Sequence, residues 1–158
     1  MSLFKSPSPR AVSASLAILR LILGATFIMH GGQKLFVYGF DGVAGAFGQM
    51  GIPMPGILGP FVALVEFFGG IAIVLGLLTR LAALGLAVNM VVAILTVHLK
   101  AGFFNPGGIE FPLSLMAASV ALIVSGAGAL SLDALLEKKV APESTTAAPK
   151  VPATRKAA

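Results

Sequence analysis

Four apolar stretches, residues 11–30, 57–78, 81–98 and 111–130, constrain this chain more than anything else in it. Each has about the 20 residues that an α-helix needs to cross roughly 30 Å of hydrocarbon. Arg20 is the only charged residue in the first stretch and Glu66 the only one in the second, and the other two carry none. Lipid supplies no hydrogen bonds, so a spanning segment must satisfy its own backbone, as a helix or in a closed barrel. Barrel strands alternate apolar and polar residues, and these stretches do not. The chain is therefore predicted to be all-α, a polytopic membrane protein built as a four-transmembrane-helix bundle. Composition agrees, with 57 % hydrophobic and 11 % charged residues and a mean hydropathy of +0.98. A soluble domain carries about 25 % charged residues, and one of 158 residues has too little interior to hide so much apolar surface.

The segments between the stretches set the topology. Residues 1–10 read as a disordered polar arm, 11–137 as the membrane domain and 138–158 as a disordered basic tail. Residues 31–60 are rich in Gly and Pro, with Phe36, Tyr38, Phe40 and Phe47 interleaved. Such a loop suits the membrane interface, where aromatic rings settle, and it has room for a short interfacial helix over 43–50. Thr79 and Arg80 make a tight turn, and Pro112 fits the first turn of the last helix, where its missing N–H costs nothing. A cleaved signal peptide is the rival reading of the first stretch. The charge at Arg20 and the length of the run speak against it. With four spans, one side of the membrane holds Lys5, Arg10, Arg80, Lys138, Lys139, Lys150, Arg155 and Lys156, and the other holds Lys34 and Lys100. Basic residues collect on the cytoplasmic side, so both termini are expected in the cytoplasm and the chain in the cell's inner (plasma) membrane. The lipid bilayer is then the first partner. The net charge of +5 comes from these flanks and leaves no folded basic face for nucleic acid. The chain has no cysteine, which rules out Cys-ligated metal and c-type haem within it.

The few polar residues in or near the spans are the candidates for function. Arg20 and Glu66 each lie about ten residues into their stretches, and an unpaired charge at mid-membrane costs roughly 2.5–3.5 kcal/mol. They are expected to form a buried polar pair. The pair would be either a structural pin between helices or the polar floor of a ligand pocket or proton path. A third reading leaves Glu66 alone and neutral. Arg20, Gly24, Phe27, Gly31 and Lys34 recur at helical steps and form one stripe, as do Glu66, Gly70, Ile73, Leu77 and Arg80. Small residues on such stripes let helices approach closely. His30 and His98 end two spans that run the same way, so they are expected at one surface with Lys34 and Glu110 as a candidate ligand site. His30, His98 and Glu110 could hold a quinone head group, a proton or a metal, although no metal is assigned. The plainer alternative is two unrelated interfacial histidines. Asn89, nine residues before His98, falls on the opposite helix face.

Several of these residues sit in ordered motifs. Leu19-Arg20-Leu21-Ile22-Leu23-Gly24 is followed by His30-Gly31-Gly32-Gln33-Lys34-Leu35-Phe36, then Glu66-Phe67-Phe68-Gly69-Gly70 and Gly76-Leu77-Leu78-Thr79-Arg80. Gly102-Phe103-Phe104, Glu110 and the run from Gly126 to Asp133 complete the set. In this order and spacing, over about residues 15–137, the chain resembles the DoxX family. One departure is Ala129, where the family pattern has a basic residue. The resemblance implies a small four-helix membrane protein whose relatives are often labelled "putative oxidoreductases". Some relatives resemble subunits of quinone-linked, thiosulfate-oxidising or oxidative-stress membrane assemblies, and others are non-catalytic chaperone or cargo-receptor proteins. The resemblance therefore points to an accessory subunit of a membrane redox system, with partner membrane or redox subunits as candidates, and leaves the cofactor unknown, a quinone being one candidate. The alternatives are a non-catalytic protein that binds a lipid or partner helix, and a small transporter.

Overall fold

A computed structural model describes residues 6–140 of the chain, which form six α-helices and no strand. The tail beyond residue 140 lies outside the described residues. Helix α1 runs Pro9–Gly32 and continues through a π-helical turn, Gln33–Tyr38. The short helix α2 is Gly39–Gln49, and α3 is Pro55–Leu75. Helix α4 runs Thr79–Ala93 and extends through a π-helical turn at Ile94–His98 and a 3-10 turn at Leu99–Ala101. Helix α5 is Glu110–Ser125 and α6 is Leu132–Val140. The start of α1 follows from its sequence, because the Ser8 hydroxyl accepts from the Ala11 N–H at 3.2 Å and Pro9 takes the first helical position.

Three helical stretches, α1, α3 and extended α4, are long and apolar enough to cross a membrane. Helix α5 is apolar but only 16 residues long, about 24 Å. It stops before the end of the 111–130 stretch because the chain turns at Gly126, whose φ of +75° has no helical continuation. The helices pack α1 on α3, α3 on α4, α4 on α5 and α5 on α1, closing a four-helix bundle with α2 laid against α3. Leu23, Phe27, Ile73, Ala83, Leu86, Met90 and Leu122 fill its centre. The outside stays apolar, with Ile22, Phe68, Leu84, Val88, Leu95 and Val124 all exposed. Lipid is the solvent for which such a surface is suited.

Glycines set the register of α1 against α3. A Cβ at Gly24 would lie 2.7 Å from the Gly70 carbonyl oxygen, and one at Gly70 would lie 2.8 Å from the Gly24 oxygen. The backbones touch there, and Gly31 sits the same way on the backbone of Phe67. The expected stripe on α1 is buried as read, at Arg20, Gly24, Phe27 and Gly31. Alternating helix direction gives the bundle two ends. The start of α1, the α3–α4 turn and α6 share the basic end, and the π-helical turns, α2 and the start of α5 share the other.

Candidate functional site

Glu66 is the centre of the polar site. It lies on the buried stripe of α3 and is 4 % exposed. The Lys34 ammonium sits 2.5 Å from one carboxylate oxygen, and the Asn89 amide donates to the other at 2.9 Å. Lys34 comes from the π-helical turn that extends α1, and Asn89 from α4. Three chain segments thus converge on one carboxylate and leave neither oxygen bare. A buried charge needs this much, a counter-charge and hydrogen bonds on its remaining lone pairs. π-helical turns occur often at functional sites. Lys34 itself keeps 22 % of its side chain exposed, so its long stem reaches inward from the rim while part of it remains at the surface.

The pair expected between Arg20 and Glu66 does not form. Arg20 is buried, donates from Nη2 to the Leu130 carbonyl oxygen, and lays its guanidinium where a side chain on Gly76 would be. Gly76 lies ten residues beyond Glu66, about 15 Å along a helix. Counting inward from the ends of the apolar stretches put the two charges at one depth. The glycine contacts set a different register, with Arg20 opposite the last turn of α3 and Lys34 opposite Glu66. Arg20 Nε and Nη1 have no hydrogen-bond partner among the described residues.

A second arrangement, unforeseen in the sequence, joins α6 to the start of α4. The Asp133 carboxylate accepts from the Leu78 N–H at 2.7 Å and the Thr79 N–H at 2.9 Å. Its own N–H donates to the Gly76 carbonyl at 2.8 Å. Helix α4 has no side-chain cap of its own, so Asp133 caps it from another helix. Burial pushes the Asp133 carboxyl up, but the amides of Thr79 and Leu78 and the charge of Arg20 outweigh it and hold the group below its ordinary value. The signal in the sequence was one acidic residue just after a Gly-Ala-Gly turn, which does not say which helix it will cap.

His30, His98 and Glu110 lie at the end away from the basic residues, as helix direction predicted, but each has its own local contact. The His30 ring stands 5.9 Å from that of Phe111. His98 Nδ1 lies 2.7 Å from the Gly107 carbonyl oxygen, and Glu110 accepts from the Asn105 N–H at 2.8 Å. No group of three His, Asp or Glu among the described residues could hold a metal. Of the four residues read as one ligand site, Lys34 joins Glu66, while His98 and Glu110 each contact main chain of the 99–110 connection and His30 contacts Phe111. His30 faces a shallow groove of about 530 Å³ shared with Met29, Gln33, Val37 and Phe67. Asn89 proves more important to the site than its distance from His98 suggested.

Comparison with known proteins matches residues 15–99 to the DoxX family profile and residues 59–151 to one described as TQO small subunit DoxD. A Bacillus subtilis protein named "Putative oxidoreductase CatD" is 35 % identical, over 77 % of this chain and 86 % of its own. The inner membrane protein YqjF of Escherichia coli is 35 % identical, over 77 % of this chain and 92 % of its own. The Escherichia coli inner membrane protein YphA is 32 % identical, over 75 % and 87 %. No solved structure matches the chain at a significant level.

Proposed function

Since the chain belongs to the DoxX family of membrane proteins, we propose that it is an accessory subunit of a quinone-linked or oxidative-stress membrane redox system, and that Lys34, Glu66 and Asn89 form the site it contributes. The observation that carries this reading is the carboxylate of Glu66 held in the bundle by an ammonium and an amide. An ionisable group inside a membrane bundle is expensive, and such groups mark ligand and proton paths. The donor set suits a quinone head group. Its carbonyl oxygens would accept from Lys34 and Asn89, and the hydroxyl of the reduced form would donate to Glu66. Lys34 is the member with room to move, because part of its side chain already reaches the surface. Two comparisons support the assembly part of the reading. One matching profile is described as a small subunit, which implies larger partners, and one relative carries an oxidoreductase name.

On this reading the chain is multi-pass in the inner membrane with both ends cytoplasmic and the Glu66 site in the outer half. Reporter fusions at Thr79 and after Ala158 then score as cytoplasmic, and one at Gly45 as periplasmic. The decisive experiment is an absorption spectrum, lipid extract and subunit analysis of protein purified gently from its own membrane. A bound quinone, or a co-purifying redox subunit, that is lost in Lys34→Met and Glu66→Gln is the expected result. An extract of phospholipid alone, with no partner subunit, overturns it.

A further inference from the structure

At the basic end, behind α6, lies a second site with different chemistry. A cleft of about 860 Å³ separates α6 from the start of α4 and the 125–131 connection. Arg80 of α4 and Lys138 of α6 line it, together with Leu78 and Leu81, both strongly exposed. Among the described residues Arg80 makes only a long contact of 3.4 Å, to the Val124 carbonyl, so they satisfy its guanidinium poorly. The two acidic residues in the lining are unequal. Asp133 already accepts from two amides and lies in the field of Arg20. Among the described residues that leaves Glu137 as the one acidic group of the lining opposed to the two cations.

Helix α6 has a second face. Leu132, Leu135, Leu136 and Val140 are all exposed and recur at steps of three, one and four. At 100° per residue they cover an arc of about 140°, opposite the side that carries Glu137 toward the cleft. The start of α6 is pinned to the α3–α4 turn by the Asp133 contacts, which puts it where the bundle leaves the apolar layer. An apolar arc held there, with Lys138 and Lys139 in the last turn, is the pattern of a helix lying in the headgroup layer.

We propose that this cleft binds an anionic phospholipid of the adjoining leaflet. Arg80 and Lys138 hold its phosphate, its chains run down over Leu78 and Leu81, and α6 lies in the interface beside it. A cleft lined by two cations and by exposed leucines fits an amphiphile better than a free anion, and each cation near an anionic surface strengthens binding severalfold.

The test uses the full chain in nanodiscs of phosphatidylcholine with a minor share of phosphatidylglycerol. Lipids retained on release are counted by native mass spectrometry, with inorganic phosphate added in a parallel arm. Wild type is expected to retain phosphatidylglycerol preferentially and phosphate not to displace it. The double variant Arg80→Gln with Lys138→Gln is expected to lose that preference by roughly tenfold, while Lys100→Gln, at the other end, keeps it. Both residues are exposed, and matching unfolding curves check that the variants fold. Because the chain has no cysteine, a fluorophore on Leu136→Cys reports α6 directly, and quenchers fixed in the acyl chains should reach it. No preference in wild type, equal preference in the double variant, displacement by phosphate, or a label reached only by aqueous quenchers would each overturn the proposal.

Discussion

At the basic end Arg20 is met by main chain, the Leu130 carbonyl and the bare backbone at Gly76, whereas Glu66 is met by two side chains, Lys34 and Asn89. Main-chain partners cannot leave without moving a helix. Side-chain partners can change rotamer, and Lys34 has a route to the surface. The basic end is thus built as a clasp, with α6, the α3–α4 turn and α1 locked through Arg20, Gly76 and Asp133. The other half is built as a site, with one carboxylate whose partners a ligand could replace.

The largest effect should come from breaking the side-chain cluster on its mobile side. Lys34→Met strands Glu66 in the bundle with only Asn89, and removing one partner of a buried pair costs about 3–5 kcal/mol. Glu66→Gln should cost less, since it keeps an acceptor for Asn89 and leaves Lys34 within reach of water. Unfolding of detergent-reconstituted protein measures both. The same variants sharpen the comparison in double-mutant cycles. Lys34→Met with Glu66→Gln should show a coupling of about 1–3 kcal/mol, while Arg20→Met with Glu66→Gln should add within about 0.5 kcal/mol. Coupling between Arg20 and Glu66 would mean that the two ends are one network.

A smaller loss, about 2 kcal/mol, is expected from Gly76→Ala, which places a methyl on the Arg20 guanidinium at a left-handed φ of +65°. Gly85→Ala is the control. It sits within α4, where a Cβ would meet only Val65 at 3.7 Å, so it should be neutral or should stabilise by up to about 1 kcal/mol. Equal losses at both glycines would remove the evidence for a clasp.

The two ends also differ in how far the sequence disclosed them. Helix number, direction and the buried stripe of Arg20, Gly24, Phe27 and Gly31 follow from hydrophobic period and charge placement, because these depend on one helix at a time. Which charges meet depends on the sliding register of two helices. Period reports the face of a helix and not its depth, so the sequence does not distinguish Arg20 from Lys34, later on the same stripe, as the partner of Glu66. The spacing within α4 relates Asn89 only to His98, while its partner, Glu66, lies on α3. Asp133 could be seen to begin a helix, but not to cap another one 54 residues away.

The smallest effect concerns Asp133 and is distinguished by its pH dependence. Its folded-state carboxyl is held below the ordinary 3.8, so the folded state binds that proton less readily than the unfolded chain does. The stabilisation is then fully present above the unfolded value and is lost as pH falls through it toward the folded value. Asp133→Asn keeps an acceptor for the Leu78 or Thr79 amide but removes the charge, and should cost about 1 kcal/mol at neutral pH. The gap between wild type and variant should be constant from about pH 7 to pH 5 and should close below about pH 4. Thermal unfolding at several pH values measures it. A gap that persists into acid would mean that Asp133 holds α4 by shape alone. The clasp at the basic end would then be a matter of packing, and the charge of Asp133 would play no part in it.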